Sequence, residues 1–208
     1  MQKRLRFLRE KNKERGFTLV ELIVIIVILV VLAAALIPAL LGYIDKAKRE
    51  KDYLVAKECM EAVQAQLSNM YAHRSPTDGC AINGFGSYSG MYSGDVNLDD
   101  SDEAKEVFDM VGVEPYAFLV GLGKYSKYKD SDPHCAYTVQ FAAFCLEKDS
   151  QPLYFDGEEW IEEYPWTKYH LGSGSNTFHG VEMQMYIYSY GGGYKKGDGV
   201  WKYLQAKH

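Results

Sequence analysis

The sequence predicts an α+β fold: a long N-terminal α-helical spine followed by a C-terminal head built on an antiparallel β-sheet. Residues 22–41 carry no charge, and residues 43–72 continue with apolar side chains spaced three and four apart, as in an amphipathic helix. Most of the 17 Tyr and 19 Gly lie later, where alternating apolar patterns are separated by turns. We expect a basic leader over 1–16, the long helix over 17–72 and a globular α+β head over 73–208.

The charge of the chain changes sign at Gly16. Residues 1–16 hold seven basic and two acidic residues, a net charge of +5, and the whole chain holds 23 basic and 28 acidic residues. The remainder therefore carries 16 basic against 26 acidic residues, a net charge of −10. Because basic ends tend to stay in the cytoplasm, we expect the acidic remainder to be exported. An acidic exported part argues against direct binding of nucleic acid.

The first half of the helix is apolar enough to enter a membrane. Residues 22–41 are Leu, Ile, Val, Ala and one proline, Pro38. A helix of that length spans roughly 30 Å, the thickness of the hydrocarbon core of a bilayer. Pro38 removes a backbone donor, so it should bend or loosen the helix. A cleaved secretory signal and an ordinary signal anchor are two alternatives, but neither gives a reason for the sequence Gly-Phe-Thr-Leu-Val-Glu at the boundary.

That boundary resembles a known family. The segment Gly16-Phe17-Thr18-Leu19-Val20-Glu21-Leu22-Ile23, followed by the apolar run, is similar to the N-terminus of type IV pilins and pseudopilins, with a match over residues 15–50. The resemblance implies that a prepilin peptidase cleaves between Gly16 and Phe17 and that the new amine of Phe17 is methylated. Many family members have a proline where Pro38 lies, and many have a helix-breaking glycine where this chain has Val30. The resemblance also implies self-association into a filament, with an assembly ATPase and a membrane platform protein as partners.

The chemistry of the boundary can be argued from its residues. Gly16 has no side chain to obstruct a peptidase, and cleavage leaves a positive amine on Phe17. Glu21 lies one helical turn further on, where a carboxylate facing lipid costs about 2–4 kcal/mol unless it is paired. We therefore predict that Glu21 recruits or registers an incoming subunit through the Phe17 amine of that subunit. The alternative is that Glu21 lies at the level of the headgroups and needs no partner.

In the head, the pattern predicts two short helices and four or five antiparallel strands. Residues 73–79 stop the long helix, residues 80–100 form a loop, and Asp100 or Ser101 caps a helix over 102–111. A second short helix is expected near 115–122, after Pro115. The tight turn Asp156-Gly157 predicts a hairpin. Strands are expected over 136–146, 152–155, 159–162, 181–190 and 200–204.

The four cysteines are candidates for disulfides because the head is expected outside the cytoplasm. The preferred pairs are Cys59–Cys80 and Cys135–Cys145, and the alternative is reduced, buried thiols. Cys135 and Cys145 would lie about 33 Å apart on one straight strand, so the second pair requires a loop or bend between them.

An acidic segment has the spacing of a twelve-residue calcium loop. The expected glycine at its sixth position is replaced by Asp100, which makes the sharp turn harder. A solvated acidic loop that caps the next helix is the alternative interpretation. The candidate ligands are Asp95, Asn97, Asp99, Ser101, Glu103 and Glu106.

The sequence contains no P-loop, GxSxG or HExxH pattern, so we predict a structural subunit without enzymatic activity. It would be the subunit of a type IV pilus that supports adhesion, motility or DNA uptake. The prepilin would wait in the cytoplasmic membrane with its N-terminus inside, and the pilus would be extracellular. The alternatives are a pseudopilin of a type II secretion or competence system, a minor pilin, and a singly anchored cell-surface binding protein.

Overall fold

One helix dominates the first third of the chain. The computed structural model describes residues 16–73, 82, 96–125, 132–165, 169–170, 177–178, 180–194 and 200–206. Helix α1 comprises Leu19–His73, 55 residues, and continues through Pro38. The predicted long helix is thus confirmed. The chain forms two compact units that divide between Ala47 and Lys48.

In the first unit, α1 is exposed along its length. Every described side chain from residue 16 to residue 47 is exposed. The most apolar 18-residue window of α1 has a mean hydropathy of 3.4, and none of that window is buried within the chain. By length and composition, this helix can cross a membrane.

The second unit is built on a mixed, mostly antiparallel β-sheet. The strands described in it are β1 Val96–Asn97, β2 Ala117–Gly123, β3 Val139–Cys145, β4 Leu153–Phe155, β5 Trp160–Ile161, β6 Tyr169–His170, β7 Thr177–Phe178 and β8 Val181–Tyr190. Seven of these eight strands are neighbours in the order β5-β4-β3-β2-β8-β7-β6, and β1 pairs with β8 in parallel. A 3-10 turn, Pro133–Tyr137, precedes β3, and two further helices are α2 Asp102–Val111 and α3 Val200–Gln205.

Both faces of the central sheet are covered. All seven residues of β2 are buried, and alternate side chains enter two separate cores. Phe118 and Val120 lie in the core shared with α1 and α2, whereas Leu119 lies in the core shared with α3. The sheet is therefore a middle layer. Because one face of α1 packs against the sheet, the opposite face of that part of the helix points away from it.

Helix α1 packs on the sheet through one apolar face and through the side chain of Gln64. Its buried apolar residues include Cys59 and Val63, which are spaced by four and share a face. The amide of Gln64 donates to Tyr137 O at 2.8 Å and accepts from Val139 N at 3.3 Å. These bonds fix the position of α1 along the start of β3.

Helix α2 begins and ends where the sequence predicts. The side chain of Ser101 caps its start by accepting from Ala104 N at 3.2 Å. Gly112 ends the helix in the left-handed conformation, with φ of 75°, and its N–H donates to Phe108 O. The predicted helix over 102–111 is confirmed.

Two expected elements have the other secondary structure. The segment near 115–122, predicted as a short helix, belongs mostly to β2, and the segment 200–204, predicted as a strand, lies in α3. An apolar run covered on both faces shows neither helical nor alternating periodicity, so the pattern could not identify β2. A run as short as 200–204 fits both the helical period and the strand period. The packing of this segment against the sheet decides that it is helical.

Among the residues that the structure describes, neither expected disulfide is found. Cys59 and Cys145 are buried free thiols, and Cys80 lies outside the described residues. Cys145 pairs with Ala117 at one end of β2, whereas Cys135 lies against Gly123 at the other end. The straight run of β3 between them spans about 20 Å, so no bend brings the two sulfurs together.

Candidate assembly site at the start of the long helix

The residues at the predicted cleavage point lie outside the helix. Gly16, Phe17 and Thr18 precede α1 and are exposed, with 79% of Phe17 accessible. A Cβ added to Gly16 would meet no atom within 4 Å. The peptide bond between Gly16 and Phe17 is therefore exposed, and no contact among the described residues requires a glycine at position 16.

Thr18 and Glu21 form a reciprocal cap at the start of α1. The backbone N–H of Thr18 donates to Glu21 Oε2 at 2.9 Å, and the hydroxyl of Thr18 donates to the same oxygen at 2.8 Å. The N–H of Glu21 donates to Thr18 Oγ1 at 3.2 Å. Thr18 O accepts the first helical bond, from Leu22 N at 3.2 Å. This arrangement is a capping box, in which two free N–H groups of a helix start are satisfied by side chains.

The capping box gives Glu21 a role that the resemblance did not suggest. The helix macrodipole also favours a carboxylate in the first turn. The pattern Thr-x-x-Glu before an apolar run is itself the signal of a capping box, so residues 18–21 could have been interpreted this way. Glu21 is thus partnered within its own chain.

The remaining residue predicted to act in assembly, Pro38, lies inside α1 within the exposed apolar stretch. Val30, the position where a helix breaker is common in the family, is also helical. The side chains around both positions are exposed, and they include Leu29 at 59% and Ile37 at 54%. A surface this apolar requires lipid or protein as its surroundings.

Four of the six candidate calcium ligands form side-chain hydrogen bonds within the chain. Asn97 Oδ1 accepts from Asp99 N at 3.1 Å, and Asp99 Oδ1 accepts from Tyr190 N at 3.0 Å. Ser101 caps α2, and Glu106 Oε2 accepts from Gln66 Nε2 at 3.0 Å. Glu103 lies in the first turn of α2, and Asp95 lies outside the described residues. Among the residues that the structure describes, no group of three or more His, Cys, Asp or Glu could hold a metal ion.

Comparison with known proteins identifies the N-terminal segment. The family model described as the prokaryotic N-terminal methylation motif matches residues 11–37. No curated protein and no solved structure matches the chain. The match includes Gly16, Phe17 and Glu21 and extends into the apolar helix, and it points to a structural subunit. The chain therefore carries the prepilin signal of the type IV pilin and pseudopilin family, joined to a pilin-like α+β architecture.

Proposed function

We propose that this chain is the structural subunit of a type IV pilus filament. The observation that carries the proposal is the methylation motif joined directly to a fully exposed apolar helix. A prepilin peptidase cleaves after Gly16, the amine of Phe17 is methylated, and the helix stacks with its neighbours in the filament core. The contact between subunits is heterologous and does not close, so that addition continues along one axis.

In this mechanism the apolar helix has lipid around it first and neighbouring helices afterwards. Before cleavage, the basic leader holds the N-terminus in the cytoplasm and the acidic head lies outside. An assembly ATPase and a membrane platform protein drive extraction from the membrane. The finished pilus is extracellular and serves in adhesion, motility or DNA uptake.

The capping box adds a step to assembly. Glu21 exchanges its bonds with Thr18, wholly or in part, for the charged Phe17 amine of another subunit. The charge pair outweighs the cap, because a helix cap contributes about 1 kcal/mol and an unpaired carboxylate in lipid costs about 2–4 kcal/mol. Before the partner arrives, the cap keeps the carboxylate hydrogen-bonded in the membrane.

Immunogold electron microscopy of native cells, with an antibody against the head, tests this function. The proposal predicts label along the length of surface fibres. Label only at fibre tips would indicate a minor pilin, and label in short periplasmic assemblies would indicate a pseudopilin. Diffuse label over the membrane, with no fibres, would contradict assembly and favour a singly anchored binding protein.

A matched pair of glycine variants links the fibres to the motif. We expect Gly16→Val to block cleavage and fibre formation without disturbing the fold, because no atom lies near a Cβ at that position. Gly42→Ala is the control, since its Cβ also meets no atom and it lies outside the matched motif. A normal yield of fibres from the Gly16→Val chain would show that fibre formation does not depend on prepilin processing.

A further inference from the structure

The face of α1 that points away from the sheet carries a regular stripe. Between residues 51 and 72, exposed positions recur at alternating intervals of three and four, the spacing of a helix–helix seam. We call these positions the outer stripe. Its residues are Lys51, Leu54, Glu58, Glu61, Ala65, Ser68 and Ala72.

The middle of the outer stripe forms one wall of an open groove between α1 and α2. Its volume is about 440 Å³, and it is lined by Glu58, Glu61, Ala62, Ala65, Met110 and Val111. Ala62 and Ala65 are small, Met110 is 52% exposed, and the two glutamates provide negative charge along the α1 side. The groove therefore suits an aliphatic side chain that has a cation nearby.

An aliphatic side chain with a cation beside it occurs in α1 itself, seven residues before the two glutamates of the groove. Leu54 is 63% exposed, unlike the other described leucines of the second unit, and Lys51 precedes it by three residues on the same face. Within the part of the chain that the structure describes, neither Lys51 nor Glu58 forms a salt bridge. Leu54 and Lys51 complement the groove in shape and in charge.

We propose that this groove receives Leu54 of a second copy of the chain, while Lys51 of that copy pairs with Glu58 of the first. The inference rests on the proposed filament function and assigns one of its subunit contacts. The contact joins two different surfaces of the chain, so each copy can accept one neighbour and insert into another.

The orientation and stagger follow from the chain. Two copies with the same apolar helix cross the membrane in the same direction, so their α1 helices are parallel. Without stagger, Lys51 would face Lys51 and Glu58 would face Glu58. A shift of three residues would place Glu58 against Glu61. A shift of four would place Lys51 opposite Val55, which is buried, and leave Lys51 without a glutamate. A shift of seven residues, about 10.5 Å, places Lys51 opposite Glu58 and brings Ala65 opposite Ala72.

A longer shift of ten residues would pair Lys51 with Glu61. Glu61 already lies 3.7 Å from Lys57 in its own helix, and the longer shift leaves a shorter overlap of the two stripes. We therefore assign the shift of seven.

Disulfide trapping in full-length protein on cells tests the stagger. With Lys51→Cys and Glu58→Cys in one chain, mild oxidation should give a ladder of covalent multimers, because each copy carries both partners. The two positions cannot bond within one helix, since they lie about 10.5 Å apart. Each single variant should give no ladder, and the parent chain under the same oxidation controls for its own cysteines.

Other cysteine substitutions test other shifts between the two helices. A ladder from Lys51→Cys with Glu61→Cys, and none from the Glu58 pair, would overturn the seven-residue shift. Dimers from Lys51→Cys alone would show an unstaggered contact and overturn the proposal. If fibres form in the parent but no pair gives a ladder, this contact is wrong and the filament function stands. If the parent forms no fibres, the function itself fails.

Charge reversal provides a second readout. We expect Lys51→Glu or Glu58→Lys to lower fibre yield roughly five-fold, the scale of one exposed charge contact, and the double reversal to restore it. Lys105→Glu changes the net charge equally at an exposed site on α2 and should leave the yield unchanged. A double reversal that assembles no better than either single variant would contradict the pairing.

Discussion

At the scale of single residues, Glu21 has one observed task and one proposed task, and the two compete. Its carboxylate caps the helix through Thr18, and the proposed assembly step needs the same carboxylate for the amine of another chain. The sequence predicted the second task from the spacing of Phe17 and Glu21. The first task was not predicted, although Thr-x-x-Glu before an apolar run is a recognisable capping signal.

Substitutions at positions 18 and 21 separate these tasks. Glu21→Gln removes the charge but leaves a residue that also serves in capping boxes, so we expect processing to continue and fibre yield to fall. Thr18→Val removes the capping hydroxyl but keeps the charge, so we expect assembly to persist. Immunoblots of leader cleavage and of sheared fibres provide the two measurements. A wild-type yield of fibres from the Glu21→Gln chain would show that the charge of Glu21 is not needed for assembly.

The burial of the cysteine thiols leads to a second prediction at this scale. Burial raises the pKa of Cys59 to about 12, so its thiol stays protonated and unreactive at neutral pH. Because the unfolded thiol ionises near pH 9, this burial contributes stability below pH 9, and that contribution is lost as the pH rises toward 12.

Alkylation of the full-length chain in detergent tests this state of the thiols. We expect Cys59 and Cys145 to react slowly in the folded protein and rapidly in denaturant without any reductant. Mass spectrometry of the labelled peptides provides the measurement. A requirement for reductant in denaturant would show that the disulfides exist after all.

At the scale of elements, the sequence predicted those whose ends carry their own signals. Ser101 and Gly112 bound α2, and the turn Asp156-Gly157 precedes β5, whose partner β4 was also expected. The sequence failed at β2 and α3, where the structure is decided by what covers them. The groove beside α2 was equally beyond prediction, because it depends on how α2 lies against α1.

Gln66 links three elements and gives a test of that packing. It is 4% exposed, its amide donates to Glu103 O and Glu106 Oε2, and its Oε1 accepts from the hydroxyl of Tyr188 at 3.4 Å. We expect Gln66→Leu to lower the free energy of unfolding by about 1–3 kcal/mol, because it leaves the buried Tyr188 hydroxyl without this partner.

A double-mutant cycle isolates that contribution. Tyr188→Phe should cost less in the Gln66→Leu background than in the wild type, since the hydroxyl it removes has already lost its acceptor. Denaturant unfolding of the full-length chain in detergent, followed by near-ultraviolet circular dichroism, measures all four variants. Ser68→Ala, on the exposed face of α1, is the control. Strict additivity would show that the bond does not couple α1 to β8.

At the scale of the whole molecule, the chain leaves its most apolar surface uncovered. None of the most apolar window of α1 is buried by the chain itself, so its surroundings must come from outside. The methylation motif implies processing by a peptidase, and in the proposed mechanism this removal of the leader allows the subunit to leave the lipid for the filament. The sequence alone contained the motif, whereas the outer stripe could be identified only from the structure, because the sheet determines which face of α1 is exposed.

The N-terminus of the chain in sheared cell-surface material tests the central claim most directly. Intact-mass and peptide analysis should find a subunit that begins at Phe17 and carries one methyl group on its amine. The result that would contradict the account is a chain that remains in the membrane fraction with residues 1–16 still attached.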